Sequence, residues 1–188
     1  MVPLIELWFP ILLSAVFVFI VSSILHMVIP IHTNDYKKIP GEEKLLEAMR
    51  RENVQPGSYM FPHPPTPKDL STPEMIEKFN QGPVGFVTVI PSGPPAMGKS
   101  LGLWFIYTII IGVLLAYVAG LGLERGAGFL AVFRMTAAAA ILGYAAPAMV
   151  DSIWKGQRWG ISIKFIFDGV CYGLTTAATF AWLWPAAA

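Results

Sequence analysis

Long apolar runs, separated by short polar turns and one long polar interval, set the plan of this chain. The runs cover residues 4–29, 101–123, 129–150 and 161–184. At about 1.5 Å per residue, a helix of roughly 20 residues crosses the roughly 30 Å hydrocarbon core of a bilayer. The pattern predicts an all-α integral membrane protein. Its expected form is a four-transmembrane-helix bundle with a proline-rich cytoplasmic segment carrying two short amphipathic helices.

The first run competes with a cleaved signal peptide, which would start basic and carry a short apolar core. Here the start holds Glu6 and no lysine or arginine, and the run continues to His26-Met27-Val28-Ile29-Pro30. A retained helix is the expectation. Pro10 falls near its beginning, where a missing N–H costs least.

The polar interval, residues 31–98, is too small and too rich in proline for an ordinary globular core. Two short helices fit it. One covers 42–52, with Leu45, Leu46 and Met49 on one face and Glu47 and Arg51 spaced i,i+4. The other covers 73–79, with Thr72 as N-cap, Pro73 in the first turn, and Met75, Ile76 and Phe79 on its apolar face. Residues 84–90 read as an extended strand without a partner. Gly57 to Pro67 reads as an extended, polyproline-like strap.

Composition agrees with the pattern. Of 188 residues 55% are hydrophobic and 13% charged, against about 25% charged in soluble domains. Net charge is +1, which points to no nucleic-acid partner. The single cysteine, Cys171, excludes a disulfide within the chain and a cysteine-based zinc site. It is expected as a packing residue. Of the 13 lysines and arginines, only Arg125 and Arg134 fall on the side of the termini. Basic residues favour the cytoplasmic side, so both termini are expected outside and residues 31–98 inside. The expected setting is a bacterial inner membrane.

The stretch Gly93 to Ser100 matches GxxxxGK[ST], follows a strand pattern and precedes a helix. A phosphate loop presents successive backbone N–H groups, and Pro94 and Pro95 remove two of them. The parallel sheet that surrounds such a loop also has no room in this segment. The expectation is a turn into the second span and no nucleotide, with Lys99 at the membrane surface.

Ionisable residues within spans are functional suspects. Glu6 and Arg134 are an intramembrane pair candidate near the outer face. His26, Asp151, Lys164 and Asp168 form a polar pocket candidate at the cytoplasmic end, with His32 and Asp35 just beyond. Lys164 and Asp168 are spaced i,i+4 and are expected to pair with each other. No metal or other cofactor is assigned. The weaker alternative is a metal site from His26, His32 and Asp35, and a bis-histidine haem is poorly supported. Small residues recur every four positions at Gly112, Ala116 and Gly120, and at Gly169, Gly173 and Ala177. Such stripes let helix backbones approach. Six tryptophans fall near predicted interfaces, as an aromatic belt would.

No nucleophile–base pair and no interrupted span stand out. The expected function is non-catalytic: a small subunit or interaction partner, with other membrane chains or further copies of itself as partners besides the bilayer. The alternative is a small carrier, channel or lipid-handling protein that uses the polar pocket.

Overall fold

A computed structural model describes residues 1–187. In chain order the elements are α1 (Trp8–Ser23), α2 (Glu42–Arg51), β1 (Gly57–Phe61), α3 (Pro73–Gln81), β2 (Gly85–Val89), α4 (Met97–Gly122), α5 (Phe129–Tyr144), α6 (Ala148–Trp154) and α7 (Trp159–Trp182). The chain is mostly helical and divides into two compact units. One joins Met1–Asp35 to the chain from Ala96 onward; the other is Tyr36–Pro95.

Among the described residues of the helical unit, three stretches are long and apolar enough to cross a membrane: Leu4–Val28, Met97–Gly122 and Phe129–Trp154. α7 is of similar length but more polar, and its polar groups turn inward. Ser162, Asp168, Thr176 and Thr179 are all buried. Two of the threonine hydroxyls donate to carbonyls one turn back, Thr176 to Tyr172 and Thr179 to Thr175, both at 2.9 Å. This satisfies them without a partner helix.

α1 packs against α4 and α7, and α5 packs against α4 and, most extensively, α7. Missing side chains explain the closeness. A Cβ at Gly169 would lie 2.6 Å from the Ala145 backbone, and one at Gly173 would lie 2.6 Å from the Ile141 side chain. Gly112 faces Ile11 in the same way, and a Cβ at Gly120 would run into the Val2 carbonyl. Ala116 and Ala177 are fully buried. Backbones at this distance gain dispersion contacts over their whole length, which is what holds helices together in lipid.

The run 129–150 is not one continuous helix, and the expectation of uninterrupted spans is corrected here. α5 ends at Tyr144, the chain turns through Ala145, Ala146 and Pro147, and α6 begins at Ala148. Pro147 has no N–H to offer the carbonyl of Gly143, four residues back. The Tyr107 hydroxyl of α4 takes that place, donating to the Gly143 carbonyl at 2.9 Å.

One end of this unit gathers the first residues, the α4–α5 turn and the chain end. The Val2 amide donates to the Gly120 carbonyl at 3.0 Å, the Gly126 amide to Pro185 at 2.8 Å, and the Trp184 indole to Glu124 at 2.9 Å. Here the pairing expected between Glu6 and Arg134 is replaced. Arg125 Nε donates to Glu6 Oε2 at 3.1 Å, while Arg134 is exposed. Arg125 sits in the turn, where its guanidinium reaches Glu6 on a short helical turn beside it.

The second unit is built around a two-stranded antiparallel sheet. β1 and β2 pair in the register Gly57 with Val89 through Phe61 with Gly85. The strand expected to be unpartnered is therefore paired, and the first residues of the expected strap are its partner. α2 follows Gly41, whose φ of 70° is a conformation that favours glycine. Thr72 caps α3, its hydroxyl accepting from the Met75 amide. Among the described residues of this unit, Met75 is the only buried hydrophobic side chain.

The glycine-lysine motif has a backbone explanation. Gly93 takes φ 129°, a conformation that favours glycine, and Gly98, Lys99 and Ser100 form the first turn of α4. β2 pairs antiparallel with β1 rather than in a parallel sheet.

Candidate functional site

At the other end of the helical unit, the chain leaving α1 folds back on itself. After Ser23, residues Ile24–Val28 widen into one π-helical turn. Ile29 is extended, as the residue before a proline prefers, and Pro30–His32 form a single 3-10 turn. The reversal lays the His32 ring on the His26 ring, with centroids 4.4 Å apart and planes within 6°.

Both rings direct Nε2 at one carboxylate. His32 Nε2 lies 2.9 Å and His26 Nε2 3.8 Å from Asp168 Oδ2. Both Nδ1 atoms are held from behind. His26 Nδ1 donates to the Ser22 carbonyl at 3.1 Å, and His32 Nδ1 donates to Asp35 Oδ2 at 2.6 Å. Asp35 in turn accepts from Lys164 Nζ at 2.5 Å on its other oxygen. The chain of contacts runs Lys164, Asp35, His32, Asp168, joining the end of the first span to α7.

The expected i,i+4 pair of Lys164 with Asp168 is thus not made. Lys164 turns to Asp35 and leaves Asp168 to the imidazoles. Asp151, the fourth pocket residue, is also elsewhere: it accepts from Lys155 at 2.7 Å. Asp35 and His32, placed beyond the pocket in the sequence reading, belong at its centre. Proline between two histidines was the available signal, since an Ile-Pro step ends a helix and allows the chain to return.

The electrostatics follow from burial. Asp168 is 1% exposed and Asp35 7%. Burial alone would raise the Asp35 carboxyl, but the hydrogen bonds and charges of Lys164 and His32 outweigh it and hold it below the ordinary carboxylate value. His32 has a carboxylate oxygen on each nitrogen, and a neutral imidazole carries one N–H. A hydrogen bond on both sides therefore needs a second proton, on His32 or on Asp168. Among the described residues, Asp168 Oδ1 is buried and receives no hydrogen bond.

Aromatic rings close the site on the α4 side. Trp104 donates its indole N–H to Ser22 Oγ at 3.0 Å and lies edge-on to Tyr172 at 5.5 Å. Tyr144 packs on both Tyr107 and Tyr172. The Tyr172 hydroxyl is 3.5 Å from His26 Nδ1. This apolar wall excludes water from the Asp168 side, while the His26 side chain remains 40% exposed.

Fold and site fit an integral membrane protein with a charged cluster at one end of its helices. No family model matches the chain, and no significant match is found among curated proteins or solved structures.

Proposed function

We propose that this chain is a four-span integral membrane protein that binds a small cation, a proton or a metal ion, at the cluster of His26, His32 and Asp168. The observation that carries the reading is the His32 bridge between two buried carboxylates, one of which keeps a free oxygen. Such a bridge holds an exchangeable proton beside an exposed imidazole. In this reading α7 is the fourth span, its polar residues facing the other helices. Both termini lie outside, and residues 31–98 lie in the cytoplasm. No catalytic step is proposed.

The test is transport. Purified chain in sealed vesicles, assayed for proton or cation flux, should lose flux in Asp168→Asn while elution profile and helicity stay unchanged. An Asp168→Asn variant that folds and retains full flux overturns the reading.

A specific observation also supports a role as a subunit of a larger membrane assembly. The unit Tyr36–Pro95 buries one hydrophobic side chain and leaves Leu45, Leu46, Ile76 and Phe86 exposed. A unit with so little core gains stability from a partner. Purification from native membranes in mild detergent tests this: a stoichiometric companion chain, lost on Leu45→Glu with Leu46→Glu, supports it, and an unaccompanied chain sinks it.

A further inference from the structure

We propose that His26 Nε2, His32 Nε2 and Asp168 form a binding site for one divalent first-row transition-metal ion of the zinc class. The proposal narrows the cation reading above to a metal, and rests on it only for the location of the site. Three observations meet here. The three ligand atoms lie within 4.8 Å of one another. His26 Nδ1 faces the Ser22 carbonyl, which can only accept, so its proton sits there and Nε2 is left for a metal; His32 Nδ1 faces the Asp35 carboxylate, which can hold the ring's one proton when a metal takes Nε2. Asp168 is almost wholly buried, both imidazoles meet its Oδ2, and its Oδ1 has no hydrogen-bond donor, so the carboxylate has an oxygen to spare for an ion.

The second of these is the arrangement that metal-binding histidines use. A carboxylate or carbonyl behind the ring orients it and raises its basicity. Asp35 does this for His32 and is itself anchored by Lys164.

Two of the three ligand separations need only small movements. Ligand bonds of about 2.0–2.1 Å in tetrahedral geometry put ligand atoms about 3.3 Å apart. The His26–Asp168 separation of 3.8 Å must shorten and the His32–Asp168 separation of 2.9 Å must lengthen. Both changes are about half an ångström; the two imidazole nitrogens, within 4.8 Å of each other, must also close, and His26, on the exposed side, must swing out of its parallel stack on His32 to aim Nε2 at the ion. On binding, the metal takes the place of the proton between His32 and Asp168, and that proton leaves to solvent. Two nitrogens and one carboxylate oxygen suit zinc, cobalt, nickel or iron(II) rather than calcium or magnesium, which prefer oxygen ligands throughout. Three protein ligands leave the fourth tetrahedral position open.

The experiment uses the full chain in mild detergent, stripped with chelator and titrated with cobalt(II), followed by visible absorption and by metal content after gel filtration. One cobalt per chain is expected, with a tetrahedral ligand-field spectrum that zinc(II) abolishes. His26→Gln and Asp168→Asn should each weaken binding at least 100-fold. Asp35→Asn, behind the ligand, should weaken it about 10- to 100-fold. His63→Gln, on the exposed strap, should change nothing. His26→Gln is the decisive variant, because an exposed side chain can be changed without loss of the fold. Absence of cobalt binding, or binding that survives His26→Gln, overturns the metal site. Proton flux that depends on Asp168 without any cobalt binding overturns the metal and leaves the proposed function standing. Cobalt bound through these residues with no flux of any cation upholds the metal and removes transport.

Discussion

Lys164 Nζ bonds Asp35, 129 residues away in the chain, at 2.5 Å, although Asp168 lies one turn along its own helix. The choice is electrostatic as well as steric. Asp35 is buried on a non-helical turn and has one imidazole N–H as its other donor. An ionised carboxylate there needs a full positive charge close by. Asp168 faces two imidazoles. Each carboxylate therefore takes a different kind of partner, and the lysine is kept out of the histidine cluster. Where Lys164 goes decides whether Asp168 can hold anything else.

A double-mutant cycle reads this pairing directly. Lys164→Met and Asp35→Asn should show a coupling of about 1–3 kcal/mol, as expected for a charged hydrogen bond with one partner buried. Lys164→Met and Asp168→Asn should couple more weakly. Unfolding in detergent followed by circular dichroism supplies the four stabilities for each cycle. The reverse order of couplings would restore the i,i+4 pair.

Gly169→Ala tests the α5–α7 contact with the smallest possible change. The added methyl meets the Ala145 backbone at 2.6 Å, which only a shift of one helix can relieve. Overpacking of this kind costs about 1–3 kcal/mol. Gly160→Ala, on the same helix with nothing within 4 Å, should instead be neutral or stabilising by up to about 1 kcal/mol through helix propensity. Melting temperatures in one detergent compare the two, and equal behaviour would mean that the close approach is absent in the membrane.

Orientation is checked by labelling in intact cells. In a Cys171→Ala background, a cysteine at position 187 should react with an impermeant maleimide, and one at position 58 should react only after the cells are opened. The expectation rests on the basic residues gathered between Lys37 and Lys99 and around Lys155. The opposite labelling pattern would place the histidine cluster on the outer face.

Much of the helical plan was legible because lipid imposes a simple rule. A run such as Leu101 to Leu123, without a charge, has few soluble alternatives, and glycines four apart in α7 indicate where another backbone can approach. The site was legible only as an inventory. Its members were visible as polar residues at one depth, yet their partners depend on how each helix is rotated and on a chain reversal at Ile29-Pro30. Periodicity carries neither. Lys164 and Asp168 satisfy the i,i+4 rule locally, and a tertiary partner for each overrode it. The β1–β2 pairing was hidden for another reason: more than twenty residues separate the strands, so no hairpin turn announced it.

Pro147 leaves the sharpest structural test, because its consequence lies on another helix. Without an N–H it cannot donate to the Gly143 carbonyl, and that carbonyl sits between α4 and α5, where water is scarce. Tyr107 supplies the donor at 2.9 Å. Tyr107→Phe keeps the ring, and so keeps its packing on Trp104 and Tyr144, but strands the carbonyl. A partly buried acceptor left alone costs up to about 3 kcal/mol. Pro147→Ala restores an N–H that can close the helical bond to Gly143. In the Pro147→Ala background, Tyr107→Phe should therefore cost less than about 1 kcal/mol. Stabilities of the two single variants and the double variant, measured under one detergent condition, decide the matter. If Tyr107→Phe costs the same with and without Pro147, the hydroxyl is not there to complete the broken helix.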